Sequence, residues 1–127
     1  MQNNQLFEYA VIRLVPRVER EEFINVGVIL FCKQLQSIEI KIDRDLSKLP
    51  VLDSKADIEQ IRNNLFAFER IAKGEQDAGP IAKYAPAERF RWLTATRSTI
   101  VQCSKIHPGF CEDLQVAMQK IFDEMVN

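Results

Sequence analysis

One histidine, one tryptophan and three cysteines are all that the chain holds of the residues that most often carry metal, stacking and redox chemistry. Each scarcity removes a class of function. Cys32, Cys103 and Cys111 are odd in number and widely spaced, which argues against a disulfide framework and fits a reducing compartment. Cys103, His107 and Cys111 stand four apart, yet Pro108 and Gly109 break any helix that would align them, and a fourth ligand would have to come from elsewhere. No metal and no cofactor are expected. The chain also lacks a glycine-rich phosphate loop, a His-Glu-x-x-His pair, a Cys-x-x-Cys pair and a nucleophile elbow. No apolar run approaches the roughly 18 to 20 residues that span a bilayer, and the first residues lack the basic-then-apolar plan of a signal peptide. The expectation is a cytoplasmic protein with no membrane partner.

Global charge is scarce too. The net charge of −1 gives no reason for strong nonspecific attraction to nucleic acid or anionic lipid. The distribution is uneven, however. Between Pro80 and Lys105 the cations Lys83, Arg89, Arg91, Arg97 and Lys105 face the single acid Glu88, whereas the tail carries Glu112, Asp113, Asp123 and Glu124 against Lys120. With 46% apolar side chains in 127 residues, the chain can build one core and is too short for two ordinary domains, so residues 1–127 are read as one domain.

Residues 6–15 are apolar on both alternating sets, the mark of a buried central strand. A polar connection follows, then a second strand over 22–32 rich in Ile24, Val26, Val28 and Ile29, and a third over 37–42 with Ile38, Ile40 and Ile42 facing inward. These three form a meander. The period then changes: Asp53 or Ser54 is read as the cap of a helix of about five turns whose stripe is Ile58, Ile61, Leu65, Phe68 and Ala72, ending at Gly74. A shorter helix over 85–94 opens near Pro86 and turns Phe90 and Leu93 to the core. A short strand over 98–103 and a closing helix over 111–126, with Leu114, Met118, Ile121 and Met125 inward, complete the chain. His107 is placed in a turn with Pro108 and Gly109. The fold class is therefore α+β: a mainly antiparallel sheet of about four strands, the N-terminal three-strand meander plus a later strand, packed with about three helices.

The segment from Arg89 to Thr99 combines three guanidinium groups, Trp92 and hydroxyls, which suits the binding of an anion. On a continuous helix Arg89 and Arg91 point roughly 200 degrees apart. They need not converge. If the helix ends near Ala95, Arg97, Ser98 and Thr99 lie in the turn beyond it. The competing reading pairs these arginines with surface acids such as Glu88 and buries Trp92. Arg13 interrupts an apolar strand, and either pairs with Glu8 or Glu22 across the hairpin or joins Arg97 in a cavity. Asn25 and Gly27 are poor strand formers inside the second strand. They mark either the close packing of a helix on Gly27 or a ligand beside Asn25. His107 is either a surface residue or a general base without a fixed partner.

The segments Tyr9-Ala10-Val11-Ile12-Arg13, Glu22 to Phe31 and Arg89 to Gln102, taken in order, resemble a bacterial family catalogued as domain of unknown function 3037. The resemblance covers nearly the whole chain. Thr96 and Cys103 stand where proline is usual in that family, departures that bear on the rigidity of the turn around Arg97. The resemblance implies a prokaryotic intracellular protein and, as partner, a kinase similar to the HipA-like toxins. The function expected from residues and resemblance together is a noncatalytic binding or regulatory module. Its ligand-binding residues would be Arg13, Asn25, Arg89, Arg91, Arg97, Ser98 and Thr99, holding a phosphate or carboxylate of a protein partner. The alternative is an enzyme acting on a phosphate-bearing substrate or nucleic acid, with the arginines stabilising developing charge and His107 or Glu22 as base. A third reading gives exposed apolar faces to oligomerisation.

Overall fold

The apolar run near the N-terminus does form the centre of the sheet. The computed structural model describes residues 4–95 and 99–126. In it β1 (Gln5–Leu14) pairs antiparallel with β2 (Ile24–Cys32) on one side, and β2 pairs with β3 (Ser37–Ile42). Two further strands, β4 (Val101–Cys103) and β5 (His107–Cys111), lie end to end along the other side of β1. The architecture is α+β, as expected, with five strands among the described residues where about four were expected.

β5 corrects the expectation of a turn at His107. Proline costs a strand little at a sheet edge, where the absent N–H has no ladder partner to lose. Gly109 serves packing rather than a turn: a Cβ there would sit 2.5 Å from Cζ of Phe7, so the phenylalanine ring lies across the bare backbone. Between β4 and β5 the register slips. Ile12 faces Cys103 and Tyr9 faces His107, so Ala10 and Val11 oppose three residues, Ser104 to Ile106. This is a bulge. Buried Ser104 repairs it: its N–H donates to the Val11 carbonyl at 2.8 Å, and its hydroxyl accepts from the Val11 N–H at 2.8 Å and donates to the Lys105 carbonyl. Ser104→Ala strands a buried backbone donor, and urea unfolding should register a loss of about 1–3 kcal/mol.

The β1–β2 ladder carries a second bulge. Ile12 faces Gly27 and Arg13 faces Asn25, which leaves Val26 as the extra residue. Val26 and Ile29 face one core, while Val28 and Leu30 face the other. A Cβ on Gly27 would meet the Lys41 carbonyl oxygen at 2.7 Å. Of the two readings of Asn25 and Gly27, a helix packed on Gly27 or a ligand beside Asn25, the first is corrected: the close neighbour at Gly27 is the backbone of β3.

Among the described residues four α-helices pack on the sheet. A short α1 (Leu49–Leu52) precedes α2 (Ile58–Ala72), and α3 (Pro86–Thr94) and α4 (Leu114–Met125) follow. α2 is capped by Asp57, whose side chain accepts from the Gln60 N–H at 3.1 Å, rather than by Asp53 or Ser54. Asp53 instead accepts from the Lys55 N–H in a turn of its own. α2 and α3 pack on one face of the sheet, over Ile12, Leu14, Ile29 and Phe31, and contribute Ile61, Leu65, Phe68, Phe90 and Leu93. α4 packs on the other face, over Phe7, Val28, Leu30 and Cys32. Its buried stripe includes Phe122, whereas Met125, expected inward, is exposed. Among the described residues no helix is long and apolar enough to cross a membrane.

Candidate functional site

Arg13 sits near the end of β1, where Asn25 of β2 and Gln102 of β4 are its neighbours in register. No acid meets it. Of the two partners proposed, Glu8 and Glu22, the latter pairs with Arg20 at 2.7 Å, and among the described residues Arg13 has no ion pair with either. Its guanidinium carbon lies 4.2 Å from the centre of the Phe23 ring. Such a contact holds the cation in place without neutralising it, contributing about 0.5–2 kcal/mol. The Nε atom is buried and has no hydrogen-bond partner. The strand charge is therefore positioned, desolvated at one nitrogen, and still available.

An open cleft of about 630 Å³ lies beside Arg13 at the edge of the sheet. The last turn of α3 forms one wall with Arg91, Thr94 and Ala95, and residues 103–106 form the other. Arg91 and Lys105 are both exposed, and neither has an ion-pair partner among the described residues. Three cations from β1, α3 and the β4–β5 bulge thus line one cleft, none of them ion-paired among the described residues. The hydroxyls nearby are committed to structure. Thr94 donates to the Phe90 carbonyl at 2.8 Å, and Ser104 holds the bulge.

The remaining residues singled out in the sequence go elsewhere. Arg89 donates to the Tyr84 carbonyl at 2.8 Å and to the Ala72 carbonyl at 3.3 Å, tying the start of α3 to the end of α2. Burial lowers its pKa from the ordinary arginine value. Asn25 donates to the Met125 carbonyl at 2.9 Å and so holds the end of α4; its Oδ1 is buried without a partner. Thr99 donates to the Val101 carbonyl and lines a separate groove with Trp92 and Ile100. Arg97 and Ser98, with Thr96, lie outside the described residues. His107 is exposed on β5 with its ring 5.4 Å from that of Tyr9, and neither His107 nor Glu22 lines the cleft.

Lys105 was not among the residues assigned to the site from sequence. Its signal was there in the excess of cations between Pro80 and Lys105. Placing it needed the bulge, which brings a residue after the strand back to the cleft wall. Cys111 belongs to the opposite face; burial raises its thiol pKa, with Cys32 and Asp113 adding to the effect. Among the described residues no three of His, Cys, Asp and Glu cluster in a way that could hold a metal ion.

Residues 9–126 match the family described as protein of unknown function (DUF3037). No curated protein and no solved structure matches the chain. The match takes in β1 from Tyr9 onward, the whole of the cleft and all four helices, and on that extent the chain belongs to the DUF3037 family.

Proposed function

We propose that the chain is a noncatalytic binding or regulatory module that holds a phosphate or carboxylate of a protein partner in the cleft between α3 and the β4–β5 bulge. The observation that carries this reading is the convergence of Arg13, Arg91 and Lys105, none of them ion-paired among the described residues, on that one cleft. Two guanidinium forks and an ammonium offer donors without a competing acceptor, the chemistry that planar oxyanions require. An enzymatic reading needs a base within reach of the bound group. The two bases considered for it, His107 and Glu22, do not line the cleft. A cytoplasmic setting fits three cysteines that no disulfide joins. The HipA-like kinase implied by the family resemblance is the first partner to test.

Calorimetric titration with inorganic phosphate and with phosphoserine tests the site. Arg91→Gln and Arg13→Gln, checked for folding by circular dichroism, should each weaken binding about tenfold, the equivalent of one charge-assisted hydrogen bond. Lys83→Gln, a change to an exposed cation outside the cleft, should leave affinity unaltered. Folded Arg13 and Arg91 variants with full affinity for both anions would remove the site.

A further inference from the structure

We propose that the anionic partner segment is an extended acidic or phosphorylated peptide that adds a strand along the open edge of β4, its charged side chains reaching Arg13, Arg91 and Lys105. This rests on reading the cleft as an anion site and names what brings the anion there. Among the described residues β4 has one strand neighbour, β1, and its other edge carries no strand. The cleft lies where that strand runs into the bulge, with the last turn of α3 as its opposite wall. A groove bounded by an edge strand and a helix binds extended peptides by strand addition, main-chain hydrogen bonds giving affinity and alternate side chains giving specificity.

Two features narrow the location and the occupant. Along the same edge, β5 is a poor template, because Pro108 has no N–H to offer. β4 contains no proline, and its last residue, Cys103, lines the cationic cleft. The charge then selects against neutral and basic peptides. Single-stranded nucleic acid would bring phosphates as well, but its bases need aromatic platforms, and no aromatic side chain is among the residues lining the cleft. The volume, about 630 Å³, falls within the roughly 300–1,000 Å³ of ligand clefts.

At about 3.3 Å per residue, the three residues of β4, Val101–Cys103, offer roughly 10 Å of edge, so a peptide of about nine residues spans it and reaches on into the cleft. The probe is such a peptide of alternating valine and glutamate with a central phosphoserine. Two versions N-methylated on alternate nitrogens, one in each frame, accompany it, with inorganic phosphate and an oligouridylate of equal length as comparisons. The parent peptide should bind the full chain at least about tenfold more tightly than phosphate, through a few added backbone hydrogen bonds. One N-methylated frame should lose that advantage, and amide hydrogen exchange should slow across residues 101–106. If both N-methylated peptides bind as tightly as the parent while phosphate still depends on Arg91, strand addition is wrong and the anion site stands. If phosphate binding is indifferent to Arg91→Gln, both readings fall. Tighter binding of the oligouridylate than of the peptide would also overturn the proposal.

Discussion

Phe90→Ala is expected to remove about 3–5 kcal/mol of stability, the usual result of deleting a buried phenylalanine ring. Phe90 is 2% exposed, and its ring stacks on that of Phe31 with centroids 5.5 Å apart and planes inclined by 26°. It joins α3 to β2 through the middle of the larger core, where Leu93 is the other deeply buried residue of the helix. The loss is a large part of the roughly 5–15 kcal/mol that holds a small domain together. It also reaches the cleft, because Arg91 rides on the same helix one residue along. Urea denaturation of Phe90→Ala should therefore show a much lower midpoint, and phosphate titration of the folded fraction a weaker site. Phe90→Leu keeps much of the volume and should retain most of both. A loss below about 1 kcal/mol for Phe90→Ala would mean that α3 is held by something other than this contact.

The elements that the sequence revealed are those whose side-chain pattern matches the layers they face. Residues 37–42 alternate because Ile38, Ile40 and Ile42 pack on the core under α2 and α3, whereas on the other face Lys41 meets α4 through a hydrogen bond to Gln119 and the Phe122 ring, and the strand runs over those same residues. α3 begins at Pro86 because a missing N–H costs nothing in a first turn. β5 was hidden for the opposite reason. Pro108 and Gly109 carry a turn signal locally, and only the pairing with β1 shows that an edge position tolerates the proline and that the Phe7 ring requires the glycine. The start of α2 was obscured by three good capping residues in five positions, Asp53, Ser54 and Asp57, of which tertiary packing selected the last.

The same division holds for the site. Arg13 was legible as a charge out of place, and the divergence of Arg89 from Arg91 followed from helical spacing. Arg89 does turn to the carbonyls of Tyr84 and Ala72 while Arg91 lines the cleft. What the sequence could not supply was convergence between residues 13, 91 and 105, which depends on β4 docking beside β1 and on a one-residue slip in its register. A slip of that kind is set by Ser104 replacing a ladder acceptor with its hydroxyl, a substitution of partners that no periodicity reports.

Gly27→Val is the second change with a large expected effect, and it tests the sheet rather than the cleft. The Cβ alone would lie 2.7 Å from the Lys41 carbonyl oxygen, with Cγ1 of Ile42 at 3.2 Å and Cδ1 of Ile12 at 3.3 Å. The first of these is backbone and cannot move aside without parting β2 from β3. Valine adds two methyl groups to that collision in a position with no space on either neighbouring strand. Overpacking of this kind costs about 1–3 kcal/mol and occasionally more, and the involvement of a backbone atom puts Gly27→Val at the upper end, about 3 kcal/mol. The damage should be local in its first stage. β3 is held to the sheet by β2 alone, so hydrogen exchange should accelerate along residues 37–42 before the β1–β2 ladder opens. Gly27→Ala meets the same oxygen with fewer atoms and should fall between valine and wild type. Equal stability of all three would show that the β2–β3 spacing adjusts freely at this point, and that the bulge at Val26 is not what keeps Asn25 directed toward the end of α4.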